Sequence, residues 1–562
     1  MVTYLIEKFM FIDDSTYSSK GKTYRRVLLR NSYRVDGVVK HDTIANLSNC
    51  SSEDVAHLKK SLKLAKQHSL NQGGGEFELK QGPSVGAVWT FHQIAKEMSL
   101  VEALGDSRDA KLVLWMVYAR LLGRGSRLSA TRLMDSHAGC DILNLDSFNE
   151  DHLYDAMDWL EKEQAAIENK LFQAKYQQEV PVFYLYDVTS SYLEGMQNEL
   201  GEFGYNRDGK KGKQQLVIGL MTDGTGWPIC IEVFDGNTND TKTVKSQIKK
   251  IADRFGVKEV TFVGDRGMIK RAQIEDLKDE EFHYITAITK TEIETLIKKN
   301  VLSFSLFDTT IAEIDTDGIR YVFRKNPQRA QEIEDSRQSR FDYLMNLCNK
   351  KNAYLKTDRQ AKADTAKREI EKTAKRLKIH EWVEIRIQER SVTISVDEQK
   401  KKKQMALDGC YVLKTDRKKS EITTKEIHDR YKSLAEVEWA FRTMKTTLLE
   451  MRGIFVRKAT RTKAHMFIVM LSYMIAYKLR RHWHDVEVTV DEGIHELGSV
   501  HAIEVHFPGL SYQKIPEPRP LIRSLLEKAK ITLPDAIPCR GARALTRKKL
   551  VSERKKFKTR TL

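Results

Sequence analysis

VPVFYLYDVTSSY, residues 180–192, marks the point where the sequence changes from a helical pattern to a pattern of buried strands. Its run of aromatic and β-branched residues predicts a strand covered on both faces. Two more apolar runs follow, QQLVIGLMTD at 214–223 and WPICIEVFDG at 227–236, with a short Gly-containing turn between them. The three runs therefore predict three consecutive strands of one core.

The segments that follow complete an α/β pattern. TKTVKSQIKKIADRF predicts a helix, EVTFVGDRG a fourth strand, and HYITAIT a fifth strand after another helix. Three strands, helix, strand, helix, strand is the order of a ribonuclease H-like core. We therefore expect an α/β fold whose ribonuclease H-like core is interrupted by a mixed α+β insertion, with a helical and small β-containing N-terminal region.

The same pattern divides the chain into segments. Asp36-Gly37 predicts a hairpin turn, and GGGEFELKQGPS at 73–84 predicts a linker. The predicted segments are an N-terminal β-hairpin and helix region at 1–84, a helical region at 85–175, the first part of the core at 176–299, the insertion at 300–420, the second part of the core at 421–485, and a basic C-terminal region at 486–562.

Composition narrows the class of protein. A chain of 562 residues with 41% hydrophobic residues can bury a large core, and its net charge of +17 favours a polyanionic partner, nucleic acid before an anionic membrane. The six cysteines form no C-x-x-C pair, which argues against zinc and disulfides and fits a cytoplasmic protein. The most apolar run, at 464–479, is shorter than the ~20 residues of a membrane span, so it predicts a buried helix.

Two acids follow the predicted core strands. Asp187 ends the first strand and Asp265 ends the fourth. These strands are neighbours in a ribonuclease H-like sheet, so the two carboxylates would face each other. A third carboxylate from a helix packed on the sheet would complete an oxygen-ligand site for Mg²⁺ or Mn²⁺.

The stretch RYKSLAEVEWAFRTMKTTL, residues 430–448, supplies that third carboxylate. Its apolar residues recur every three or four positions and predict an amphipathic helix. At about 100° per residue, Glu438 lies beside the apolar stripe, whereas Glu436 lies on the solvent side. Tyr431, Arg442 and Lys445 are close to Glu438 in angle.

Each acid also has a purely structural interpretation. Asp187 and Asp265 could cap turns. Glu438 could form a helix-surface pair with Arg442, four residues later. The positions of the three acids on the predicted elements favour a site over these alternatives.

The sequence resembles the insertion-sequence DDE transposases, in the superfamily whose third acid lies in a Tyr…Glu…Lys helix and in the group with a long insert before that Glu. YDVTSSY carries the first acid and VGDRGM the second. The family spacing Y-x2-R-x3-E-x6-K maps onto Tyr431, Glu438 and Lys445, with Leu434 at the position of the usual Arg.

This resemblance implies roles for single residues. Asp187, Asp265 and Glu438 would be the catalytic triad and would bind two Mg²⁺ or Mn²⁺ ions. Tyr431 and Lys445 would contact DNA phosphate, and Arg442 would replace the missing Arg. Arg266 is a further candidate DNA contact, although it could equally serve only a turn with Gly267.

The resemblance also implies a function. We expect a transposase that cleaves double-stranded DNA at the terminal inverted repeats of its element and joins the 3′-OH ends to target DNA. Residues 1–84 and 85–175 would bind the ends, and the protein would act as a dimer on DNA in the cytoplasm, associated with the nucleoid and not with a membrane. The alternatives are a metal-dependent nuclease of the same fold and a transposase-derived DNA-binding protein that has lost catalysis.

Overall fold

The computed structural model describes residues 9–19, 22–35, 38–69, 78–255, 257, 260–265, 268–303, 307, 311–446, 448–451, 454–507 and 510–546. The strands are β1 Phe9–Ser19, β2 Lys22–Val35, β3 Val38–Asn46, β4 Glu78–Ser84, β5 Phe148–Asn149, β6 Phe183–Tyr192, β7 Gln215–Asp223, β8 Pro228–Phe234, β9 Thr261–Gly264, β10 His283–Ala287, β11 Ala312–Thr316, β12 Ile319–Lys325, β13 Val383–Gln388, β14 Ser391–Val396, β15 Cys410–Thr415, β16 His501–Phe507, β17 Leu510–Lys514, β18 Ala536–Pro538 and β19 Ala544–Leu545. The α-helices are α1 Ser52–Ser69, α2 Gly86–Glu97, α3 Leu100–Leu104, α4 Arg108–Gly123, α5 Arg127–Leu133, α6 Gly139–Leu143, α7 Glu150–Lys175, α8 Asp240–Lys249, α9 Arg271–Asp279, α10 Lys290–Lys298, α11 Pro327–Thr357, α12 Ala363–Arg376, α13 Glu398–Met405, α14 Thr424–Lys432, α15 Leu434–Lys445, α16 Ala459–His482, α17 Val490–Gly498 and α18 Pro520–Lys528.

An eight-stranded sheet forms the centre of the fold, in the order β11-β12-β15-β10-β9-β6-β7-β8. The strands β6, β7 and β8 are antiparallel and consecutive, while β9 and β10 run parallel to β6. Among the five strands from β10 to β8, the fourth in the chain, β9, lies beside the first, β6, and the fifth, β10, lies beside β9. This is the ribonuclease H-like arrangement, and the predicted fold class is confirmed.

The segment predicted as the insertion, 300–420, contributes to two parts of the fold. Its first two strands, β11 and β12, and its last strand, β15, extend the central sheet beyond β10. Only α11, α12 and the hairpin of β13 and β14 pack around a separate core, which includes Leu344, Ile370 and Trp382. The strands β12 and β15 pair across a long excursion of the chain, so no local sequence pattern reveals this pairing.

Alternation along β6 divides the core into two layers. Leu185 and Leu193 face the layer that contains α7, α15 and α16, whereas Tyr184, Tyr186 and Val188 face α8 and α9. Since both faces of this strand are covered by helices, its continuous apolar run is explained.

Helix α16 is the centre of the larger layer. Every residue from Ala464 to Tyr477 is buried, and α4 and α7 pack against it. The predicted buried helix is therefore present, and no helix in the described ranges is long and apolar enough to cross a membrane. Helices of the region 85–175 thus share one apolar cluster with strands of the central sheet.

The two ends of the chain meet in a second sheet. The strand β4 pairs with β16, so the part of the predicted linker from 78 to 84 is instead a strand. Leu79 at this sheet packs with Val27, Leu29 and Val505 in one apolar cluster. The predicted turn residues Asp36 and Gly37 lie outside the described residues, as do 70–77 and 547–562, but β2 and β3 on either side of that turn pair antiparallel. All six cysteines are free.

Candidate active site

Two acids lie side by side on the central sheet. Asp187 is in the middle of β6 and not at its end, because β6 continues to pair with β7 as far as Tyr192. The neighbouring strand β9 ends at Gly264, which pairs with Tyr186, and Asp265 follows directly. The end of β9 therefore brings Asp265 beside Asp187, as predicted. The prediction that β6 ends at Asp187 is wrong.

The helix predicted at 430–448 is two helices. Helix α14 ends at Lys432 and α15 begins at Leu434, with Ser433 between them. The Ser433 hydroxyl donates to the Asp429 carbonyl at 3.1 Å, a back-bond that bends helices. On α15 the predicted apolar stripe is buried at Leu434, Val437, Phe441 and Met444, but the helix ends at Lys445, before Leu448.

The orientation of α15 separates its two glutamates. Glu438 is exposed and lines a cleft of about 360 Å³ together with Asp187 and Asp265, which we call the acidic cleft. Glu436 lies elsewhere, 3.6 Å from Arg480 and against Gly226. A Cβ on Gly226 would lie 2.7 Å from that of Glu436, so the approach requires glycine. Three carboxylates from three separate elements thus face one cleft.

The electrostatics of the acidic cleft suit a cation. The pKa of Asp187 is raised to about 7, mainly by burial and also by the negative charges of Asp265 and Glu438, against the opposing effects of the Val188 backbone and Arg207. Within the described part of the chain, no three acidic, histidine or cysteine side chains converge closely enough to form a ready-made metal centre. The donor chemistry nevertheless fits a divalent ion, since carboxylate oxygens are the ligands that Mg²⁺ and Mn²⁺ prefer and a bound cation would relieve the mutual repulsion.

A family profile described as Transposase DDE domain matches residues 179–475, which is more than half of the chain. The chain belongs to the DDE transposases. Residues 14–73 also match the profile described as IS1634 family transposase, N-terminal domain. The predicted membership in the insertion-sequence DDE transposases is confirmed, and with it a metal-dependent enzyme that cleaves DNA.

Two further comparisons concern single proteins. No curated protein gives a significant match to the transposase. Among solved structures, a cryo-EM structure of the piggyBac transposase synaptic complex with hairpin DNA matches it with a TM-score of 0.35 and 10% sequence identity, over 73% of this chain and 75% of that chain.

Tyr431 has a partner within the acidic cleft of the transposase. Its hydroxyl donates to Oδ1 of Asp265 at 3.1 Å. Helix α14, which carries Tyr431, packs against β9. Arg442, on the same face of α15 as Glu438, is exposed. Arg266, the remaining predicted DNA contact, lies outside the described residues.

Lys445 differs from the prediction. Its side chain is only 7% exposed, and its ammonium group pairs with Asp208 at 3.0 Å and donates to the Ser190 carbonyl. The Asp208 side chain is 1% exposed and accepts a hydrogen bond from the Tyr192 backbone N–H at 3.3 Å. The amine is therefore buried inside the protein, which does not agree with direct contact to a DNA phosphate.

Four polar residues of the acidic cleft were not predicted from the sequence. Asn326, Tyr411, His428 and Lys432 also line it. Burial lowers the pKa of His428, which favours its neutral form. His428 lies three residues before Tyr431 and so shares its helix face. This spacing could have indicated His428 from the sequence. Asn326 and Tyr411 reach the cleft only through the pairing of β12 with β15, which no local pattern reveals.

Proposed function

We propose that this transposase cleaves DNA at the ends of its insertion sequence and transfers the freed 3′-OH ends to target DNA, with Asp187, Asp265 and Glu438 as catalytic, metal-binding residues. The observation that supports this most is the shared cleft. Three carboxylates from β6, the end of β9 and α15 face it, while the nearby Glu436 does not.

The same three carboxylates would hold two divalent ions, either Mg²⁺ or Mn²⁺. Bound by these residues, divalent ions would supply activation of the attacking oxygen and stabilisation of the leaving oxygen in a phosphodiester displacement. The fold holds two of these acids in place, because β6 fixes Asp187 by pairing on both sides and Tyr431 restrains the Asp265 carboxylate through a hydrogen bond.

DNA binding is proposed for several surfaces. Arg442 is exposed one turn after Glu438 and would contact the backbone near the cut. Residues 1–84 would recognise the element ends, a role supported by the match of 14–73 to an N-terminal transposase domain. The basic C-terminal region and the net charge of +17 would add affinity that does not depend on sequence. Two subunits would bridge two element ends, so the protein would act as a dimer on DNA. It would do so in the cytoplasm.

The test is a cleavage and strand-transfer assay on DNA that carries both element ends, with Mg²⁺, Mn²⁺ or EDTA. The proposal predicts metal-dependent cuts at the ends and joined products with target DNA. Cuts without joined products would indicate the nuclease. Asp187→Ala should lose cleavage and keep end binding, whereas a wild type that binds ends but never cleaves would indicate the inactive DNA-binding protein.

A further inference from the structure

A second cleft, which we call the root cleft, lies where the helical part of the insertion joins the central sheet. Its volume is about 340 Å³. Five cations line it, from the start of α10, from α11 and from the segment after α12: Lys290, Arg329, Arg337, Arg340 and Lys378. The two acids in its lining, Glu332 and Asp408, leave an excess of positive charge.

Arg337 lines this cleft with a side chain that is mostly buried. The residue is 9% exposed, and Nη2 of its guanidinium pairs with Asp408. Its other terminal nitrogen, Nη1, is buried and has no hydrogen-bond partner among the described residues. This atom is closed to solvent, so the charge that the cleft presents to a ligand comes from its exposed cations.

The other cations are only weakly neutralised. Arg329 pairs with Glu332 at 2.6 Å, but both side chains are more than half exposed, and such pairs contribute little. Lys290 donates to the Gln404 carbonyl at 2.9 Å. Arg340 and Lys378 are exposed and form no ion pair with any residue that the structure describes. A cleft with N–H donors and surplus positive charge matches the chemistry of a phosphate group.

The root cleft borders the acidic cleft. Asn326 lines the acidic cleft, and its side chain accepts from the backbone N–H of Arg329, which lines the root cleft. These two positions are separated by about 4.5 Å along the helix axis, at 1.5 Å per residue. Phosphates of one DNA strand follow each other about every 3.4 Å along the duplex axis. A strand held in the acidic cleft would thus reach the root cleft within a few nucleotides.

We propose that the root cleft binds a backbone phosphate of the DNA strand that passes through the acidic cleft. The proposal rests on the proposed function of the acidic cleft and gives the root of the insertion a role in fixing the strand. A free phosphate anion has the same chemistry, so the experiment must distinguish the two sources.

The experiment compares two double variants of the full chain. Arg340→Gln with Lys378→Gln removes two exposed charges of the root cleft. The control, Arg368→Gln with Lys372→Gln, removes two exposed charges from α12, in the same part of the insertion. Affinity for a random-sequence duplex of about 30 base pairs is measured over a range of salt concentrations in EDTA, so binding is observed without cleavage. A second arm measures thermal unfolding with and without inorganic phosphate, and also shows that both variants are folded.

The loss of one phosphate contact should reduce the slope of log K against log salt by about 0.9 in the root-cleft variant only. Equal slopes in the two variants would overturn the proposal. If phosphate stabilises the wild type but not the root-cleft variant, while the DNA slopes agree, the cleft binds a free anion and the proposal fails. Because no step of this experiment needs catalysis, its failure is distinguishable from a failure of the proposed function, which is judged by cleavage with Mg²⁺.

Discussion

The buried pair of Lys445 and Asp208 gives the sharpest prediction about α15. Lys445→Met keeps the length of the side chain but leaves the Asp208 carboxylate, which is 1% exposed, without its cation. Removing one partner of a buried ion pair costs about 3–5 kcal/mol. Asp208→Asn should cost a similar amount, since it removes the carboxylate charge that faces the ammonium group. The double variant leaves no unpaired charge and should lose less than the sum, by about 1–3 kcal/mol.

A chain of this size does not unfold in one step, so two measurements are needed. Thermal unfolding reports the stability of each variant, and amide hydrogen exchange over residues 193–214 reports the segment that Asp208 anchors. Both single variants should exchange faster there, and the double variant should recover part of the protection.

Arg442→Met is the matched control, because Arg442 is exposed on the same helix. It should leave stability within about 0.5 kcal/mol and weaken DNA binding. Lys445→Met should show the opposite pattern. If Lys445→Met unfolds like the wild type, exchanges like the wild type and loses DNA affinity, then Lys445 contacts DNA and its assignment as a buried structural residue is wrong.

Three other changes test separate parts of the molecule. Tyr431→Phe removes the hydrogen bond to Asp265. Because a hydrogen bond to a charged group contributes about 1.5–3 kcal/mol, the cleavage rate should fall roughly 10- to 100-fold while end binding is unchanged. An unchanged rate would show that the hydroxyl does not restrain the carboxylate. Leu471 in α16 is 0% exposed, so Leu471→Ala should lower the free energy of unfolding by about 2–5 kcal/mol. Leu521→Ala, at an exposed position, should lower it by less than about 0.5 kcal/mol. Equal losses would contradict the central place of α16. Residues 547–562 contain eight Lys or Arg residues and one acid. Their deletion should reduce the slope of log K against log salt for DNA binding and leave β19 in place. An unchanged slope would show that this segment does not contact DNA.

The sequence was sufficient for the ribonuclease H-like core because its signals are local. The apolar run of β6 and the order of the elements after it are each readable within a few residues. The angle of Glu438 relative to Glu436 follows from helical periodicity alone, and this separation agrees with the structure. The adjacency of Asp187 and Asp265 then follows from the fold.

What could not be predicted depends on contacts between distant parts of the chain. The pairing of β4 with β16 joins segments more than 400 residues apart, so residues 78–84 looked like a linker. Lys445 has nearly the same angle on α15 as Glu438, but that end of the helix is covered by the segment that contains Ser190 and Asp208. Helical periodicity predicts the direction of a side chain but not which segments cover it. It could therefore not predict that Glu438 opens to the cleft while Lys445 is buried.

The most direct test of the central claim compares Glu438→Gln with Glu436→Gln in metal-dependent cleavage of DNA that carries the element ends. The two residues are two positions apart on one helix, and both substitutions remove one carboxylate charge. We expect Glu438→Gln to abolish cleavage while end binding persists, and Glu436→Gln to cleave like the wild type. Full activity in Glu438→Gln, or its loss in Glu436→Gln with end binding and folding intact, would contradict the assignment of the acidic cleft as the active site.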